Sequence, residues 1–446
     1  MTRKPVHVRT AFLLVLALCC AGCASGQPKS GRGIGNVFKG LAAATMSLGR
    51  ASETERRYVE AIEVLDGEPG FAEIVTVARD AEEASHHSDP RAVSLFAKVA
   101  LDCWPKLADP VAAEASDEGS ETDQAVWELY HHSVAEFVRT AELHGKMDAG
   151  KLVTLTTDEG ESAVIPVAHQ GFPWAKEDFT KLRLAKFSDR KVLDRYWSEP
   201  GLGVPLVAVR QRETSEGYIN AQIPFSATCI LRPKSREESS ETLSSESGSE
   251  INAVLELKDP LRIETVSYRS RQWNLARDLS APLAIATRET DRDKFSSFLN
   301  PGRTDEKSGL RMIEPYQPGK VPLVFVHGLL SDRFTWADLV NDLRTVPGLN
   351  EHYQIWSFQY PTGQAFIRSA AEMRASLHGI VQHLDPEGDD EALSQMVLVG
   401  QHGRTGIQVA SVAESLDDLG QRGKPRHRRN QGHTRDTWRD RETVLL

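Results

Sequence analysis

The chain has 446 residues, 40% of them hydrophobic, and its 63 Asp and Glu outnumber 53 Lys and Arg for a net charge of −10. That length and apolar content suffice for two or three domains with real cores, and the acidic balance argues against nucleic acid as a general partner. Five cysteines are too few for a disulfide framework.

The N-terminus reads as an export signal. Arg3, Lys4 and Arg9 precede an apolar segment from Ala11 to Leu18, followed by Cys20-Ala21-Gly22-Cys23. The apolar run is too short to span a bilayer and fits a cleaved signal. Ala-Gly-Cys at its end resembles the lipobox of bacterial lipoproteins, with Cys20 where a Leu is usual. That resemblance implies a lipoprotein signal peptide over residues 1–23, cut so that a lipidated Cys23 becomes the mature N-terminus, and a body held at the cell envelope through its lipid. Cys103 and Cys229 then remain, and a disulfide between them stays open as a possibility in an oxidising compartment.

Residues 24–40 carry Gly, Ser and Lys and read as a flexible tether. Gly31, Gly33 and Gly35 within it bear only a faint likeness to a dinucleotide loop, and no strand precedes them, so the tether reading stands. From residue 41 to 150 the pattern is helical. Tyr58, Ile62 and Leu65 align, as do Val93, Phe96 and Val99, and the stripe Trp127, Tyr130, Val134, Phe137, Ala141 is the clearest. This is a packing domain, with a protein partner as the alternative role. His86-His87 and His131-His132 place neighbouring rings on different helix faces without further ligands at metal spacing, so they are expected to be solvated and no metal or cofactor is expected.

From 151 to 300 the period changes. Leu152–Thr156, Val204–Val209, Phe225–Leu231 and Asn252–Leu257 read as strands of a β-rich accessory region. Ser235–Glu250 is a Ser/Glu-rich insert, read as a disordered loop. Arg269, Arg271 and Arg277 are expected on ordinary exposed surface.

Residues 301–400 hold the chemistry. Val321–Val326 is a short apolar run closed by His327-Gly328-Leu329-Leu330, a buried parallel strand feeding a tight loop. Thr335 and Asp338 suggest a capping box before a helix whose Trp336, Leu339, Val340 and Leu343 share a face. Tyr353–Tyr360 is a second strand stopped by Pro361. Phe366, Ala370, Met373, Leu377, Val381 and Leu384 stripe a long helix, and Gln395–Gly400 is a third strand. Strand and helix alternating at this spacing predict an α/β fold with a parallel sheet covered by helices.

This order resembles the first half of an α/β-hydrolase of the esterase/lipase type: a strand ending His-Gly, a helix, a strand ending Tyr-Pro-Thr-Gly, a helix, then Met-Val-Leu-Val-Gly. The resemblance covers roughly the last third of the chain, and Leu310–Lys320 is similar to the lead-in of lipoprotein-type hydrolases. It implies an oxyanion hole at the amides of Leu329 and Leu330, with His327 and Gly328 as the loop motif and His327 structural rather than the catalytic base. It also implies a nucleophile elbow, Gly-x-Ser-x-Gly, directly after Gly400.

The chain departs from that pattern at the elbow. Gly400 is followed by Gln401-His402-Gly403-Arg404-Thr405-Gly406, without a serine. Ser331, Ser357 and Ser369 sit in the loop, mid-strand and inside a helix, so none stands at an elbow. Residues 401–446 turn net basic, with Gln421–Glu442 crowded with Arg, His, Asn and Gln and without periodicity, and read as an aberrant, disordered tail. The genetic code suggests why. Among the codons that the code permits, Gln401 to Val409 can be encoded CAG CAT GGG CGG ACT GGT ATC CAA GTT, which read one base later gives Ser-Met-Gly-Gly-Leu-Val-Ser-Lys, an elbow short only of the customary His between Gly400 and the serine. The expectation is therefore an exported, lipid-anchored ester hydrolase by ancestry, frame-disrupted near Gly400 and inactive as it stands. Its relatives' substrate would be a small-molecule or lipid ester. The alternative is a non-catalytic envelope lipoprotein that binds or scaffolds.

Overall fold

The computed structural model describes residues 53–107, 120–156, 161–188, 191–235, 238, 249–288, 309–328, 333–361, 363–402 and 406–411. Cys23, the signal and the tether lie outside these residues, as does most of the Ser/Glu-rich insert.

Four helices open the described chain: α1 (Glu53–Leu65), α2 (Ala72–His86), α3 (Arg91–Cys103) and α4 (Glu121–Leu143). A capping box starts α4, in which the Ser120 hydroxyl accepts from the Asp123 amide and the Asp123 carboxylate accepts from the Ser120 amide. Helix α4 is buried on most of its circumference because α1 and α3 cover one side and strands the other. Tyr58, Leu65, Phe96, Tyr130, Phe137 and their neighbours share one apolar core with the strands that follow, as far as Leu275. The Tyr130 hydroxyl, deep in that core, donates to the Leu231 carbonyl at 2.9 Å.

The β-rich region forms a mixed sheet from β1 (Leu152–Thr156), β2 (Ser162–Gln170), β3 (Lys181–Leu184), β4 (Val204–Gln211), β5 (Gln222–Pro233) and β6 (Ala253–Lys258). Their order is β1-β2-β6-β5-β4-β3, antiparallel except where β2 runs parallel to β6. The strands expected from the sequence are all present. Of the insert read as disordered, Ser249–Glu250 pairs with Ala163–Val164 of β2. Helix α5 (Ala281–Arg288) closes the region where only strands were expected.

The second sheet takes β7 (Gly309–Met312), β8 (Val321–Val326), β9 (Tyr353–Gln359), β10 (Val397–His402) and β11 (Gly406–Ser411) in the order β7-β9-β8-β10-β11. Strands β8, β9 and β10 are parallel, and β7 and β11 flank them antiparallel. Alternation along β8 sends Leu323 and Phe325 to one face and Val324 to the other. The first face packs against Trp336, Leu339, Val340 and Leu343 of α6 (Ala337–Leu343) and the turn before it. The second packs against Leu377 and Ile380 of α7 (Phe366–Leu384). A mixed α/β architecture with both faces of this sheet covered is thus present. The stretch beyond Gly400 differs from the expected disorder in its first residues, since Gly406–Ser411 pairs with β10 over six positions.

The capping box expected at Thr335 does not form. Thr335 lies in a 3-10 turn, Trp336 caps α6 without a side-chain bond, and the Asp338 carboxylate accepts from the Asp194 amide at 2.8 Å. Helix α6 thereby docks on the preceding region. Trp197 Nε1 donates to Asp342 at 2.9 Å, and Ser280 Oγ to Asn341 Oδ1 at 2.7 Å.

Candidate functional site

Strand order makes one place in this sheet special. The chain goes from β8 to β9 on one side and returns across β8 to β10 on the other, so connections diverge above the carboxyl ends of β8 and β10. Such switch points leave a crevice where ligands bind in open α/β sheets. His327 and Gly328 end β8 there, and Gln401 lies at the end of β10.

His327 is 2% exposed and fully engaged. The Tyr360 amide donates to its Nε2 at 3.1 Å, which makes that nitrogen an acceptor and puts the proton on Nδ1. Nδ1 accordingly donates to the Gly328 carbonyl at 3.0 Å. The ring stacks on Tyr360 at 4.4 Å between centroids, and the Tyr360 hydroxyl donates to the His327 carbonyl at 3.0 Å. With its basic lone pair on a backbone amide, this imidazole ties the ends of β8 and β9 together and is not free to take a substrate proton.

Gly328 meets Gln401. The Gly328 amide donates to Gln401 Oε1 at 3.0 Å, and a Cβ at position 328 would stand 2.9 Å from that oxygen. Only glycine therefore lets the β10 side chain approach this closely. Leu329 and Leu330, expected to supply oxyanion amides, lie outside the described residues, as does Ser331. An elbow needs a sharp turn just past Gly400. Here the backbone continues as strand through Gln401 and His402, and His402 pairs with Gly406. Ser357 lies mid-strand in β9, and Ser369 is buried inside α7, so neither stands at a strand-to-helix turn.

Two residues of this site were not singled out by sequence reasoning. Tyr360 carries a signal, because it ends a strand immediately before Pro361. Gln401 carries none beyond its place after Gly400.

The paired histidines of α4 are not solvated as expected. His131 Nδ1 lies 2.8 Å from the Trp127 carbonyl and its Nε2 accepts from the Gly203 amide at 3.1 Å; burial pushes its pKa down to about 4. His132 is buried against Tyr58 at 3.8 Å, with Nε2 at 2.7 Å from Glu82. Among the described residues no group of three or more His, Cys, Asp or Glu could hold a metal ion. Arg277 is not ordinary exposed surface, being largely covered and paired with Glu199 and Glu264. Cys103 and Cys229 are both free and buried. No described helix is long and apolar enough to cross a membrane.

Comparison with protein families, with curated proteins and with solved structures finds no match.

Proposed function

We propose that this chain descends from an exported, lipid-anchored ester hydrolase of the α/β-hydrolase type and is catalytically silent for want of an elbow serine. The single observation that carries the reading is the meeting of Gly328 and Gln401 across the switch point. An acyl-transfer site of this kind needs a loop of backbone donors at the end of one strand facing a nucleophile at the end of its neighbour. Strands β8 and β10 are such neighbours, and the residues at their ends are in hydrogen-bonding contact.

Two further features support it. The antiparallel edge strand β7 beside parallel β9, β8 and β10 is the order that a hydrolase lead-in would give. His327 is consumed by backbone bonds, which suits a loop-shaping residue and leaves the base to come from elsewhere. With Gln401 and His402 continuing the strand, no nucleophile stands at the end of β10.

A serine-directed fluorophosphonate probe tests this. The present chain should stay unlabelled, and a chain carrying the frame-shifted sequence after Gly400 should label at the new serine. Labelling of the present chain, or none of a folded restored chain, would contradict the reading.

A second reading, a non-catalytic envelope lipoprotein, is favoured by β11. Its six-position pairing covers the edge of β10 and makes the present C-terminal segment part of a folded sheet.

A further inference from the structure

We propose that the groove between α2 and α3 docks a short cationic amphipathic helix of a partner protein. The two helices pack side by side, joined by the short turn at residues 87–90. A trough of about 1010 Å³ runs along them, with Leu155 and Thr156 of β1 and Ile251 completing its wall. Val77, Asp80 and Ala84 recur along α2 at steps of three and four, as do Leu95, Lys98 and Asp102 along α3. Each helix therefore gives the trough one face.

The floor is apolar and incompletely covered. Val77, Leu95, Leu101 and Ile251 pack on the main core and remain half-buried. Their outer surface is what a further element would remove from water.

The rim is acidic. Asp80, Glu83, Asp89 and Asp102 line the trough against two cations, Arg91 and Lys98. Both cations are already paired. Asp89 holds Arg91 at 2.7 Å, and Lys98 lies between Asp102 at 2.9 Å and Glu73 at 3.0 Å. Among the described residues no ion pair reaches Asp80 or Glu83, which stand three apart on the exposed side of α2. His87, the other titratable group in the wall, has Nδ1 at 2.8 Å from the Glu83 carbonyl. Cations on the occupant complement this surplus of carboxylates. The insert that leads to Ile251 has the wrong sign for the part, with five Glu and one Arg between Ser235 and Glu250.

Length and pattern define the partner. From Arg91 to Asp102 the wall of α3 spans about 17 Å, the length of about 11 helical residues. A helix with leucine-like anchors at i, i+3, i+4 and i+7 lays them on the apolar floor, and Lys or Arg beside them meets Asp80 and Glu83.

The test is fluorescence anisotropy at pH 7.5 and about 0.15 M salt, titrating the folded full chain into a labelled, end-capped peptide KLKKLLKKLLK. Binding should be saturable at one peptide per chain. A scrambled peptide of the same composition without a common apolar face, and the peptide with Glu for Lys, should bind far more weakly. Reversing both rim charges, Asp80→Lys with Glu83→Lys, should weaken binding about tenfold. Reversing exposed Glu63 and Glu387, which do not line the trough, should leave it unchanged. Leu101→Ser should weaken binding through the floor alone, and serves if the charge variant does not fold. Absence of saturable binding, equal binding of the scrambled peptide, or equal effects of the rim and remote reversals would each overturn the proposal. So would tighter binding once Lys29, Arg32, Lys39 and Arg50 are replaced by Gln, because the chain's own tether would then be the occupant.

Discussion

The backbone amide of Gly328 donates to the side-chain oxygen of Gln401 at 3.0 Å, joining the carboxyl ends of two neighbouring parallel strands. In the proposed hydrolase reading, that bond lies where backbone donors and a nucleophile would meet. Gln401→Ala should therefore leave the Gly328 amide without its partner and cost about 1–2 kcal/mol, the range for an unmade buried bond. Urea unfolding would measure it, and a change within error would mean that the contact carries no stability.

His131 gives a pH prediction. Its folded pKa is pushed down to about 4 by burial, against about 6.5 for an unfolded histidine. The unfolded state therefore takes up the proton first as pH falls. The stability held by the neutral ring is whole above about pH 6.5 and drains away down to about pH 4, by at most about 3 kcal/mol. A proton on Nε2 would also break the bond from the Gly203 amide. His131→Gln should flatten stability between pH 7.5 and 5 relative to the native chain. Parallel pH profiles for the two would contradict this.

The thiols make a third prediction. Cys103 and Cys229 are unpaired and buried, and burial pushes both pKa values up to about 12. A thiolate-specific reagent should leave both untouched in the folded protein and titrate both in denaturant. Fast reaction in the native state would show that either site opens readily.

Anchoring supplies a fourth. The Ala21-Gly22-Cys23 ending after a short apolar run points to lipid on Cys23. Cys23→Ser should abolish lipid labelling and move the protein from the membrane fraction to the soluble one. Unchanged fractionation would remove the lipid anchor from the account.

Much of the second sheet was legible because its strands are short apolar runs with sharp ends. Val321–Val326 stops at His327-Gly328, and Trp336, Leu339, Val340 and Leu343 fall on one buried face. What escaped the sequence was set by distant partners. Asp338 has the spacing for a local cap, yet the Asp194 amide, 144 residues away, claims its carboxylate. His131 and His132 point to different faces of α4, but that helix is packed on both sides, so both rings are covered. The cluster of Arg262, Glu314 and Arg344 draws on three separate segments and leaves no mark in any one of them. Strand β11 was missed because Gly406–Ser411, an uncharged run with Ile407 and Val409 in alternation, was read together with the basic stretch that follows it, whereas the edge of β10 offers unpaired backbone groups to whatever comes next.

The proposed reading turns on the lack of a serine where an elbow would follow Gly400. The most direct measurement is turnover of a short-chain chromogenic ester at neutral pH by two folded proteins, the present chain and one carrying the shifted frame after Gly400. The account predicts no turnover above background from the present chain, and from the restored chain turnover that disappears when its elbow serine is replaced by alanine. Turnover by the present chain that survives replacement of Ser331, Ser357 and Ser369, or a folded restored chain that is inert, would contradict it.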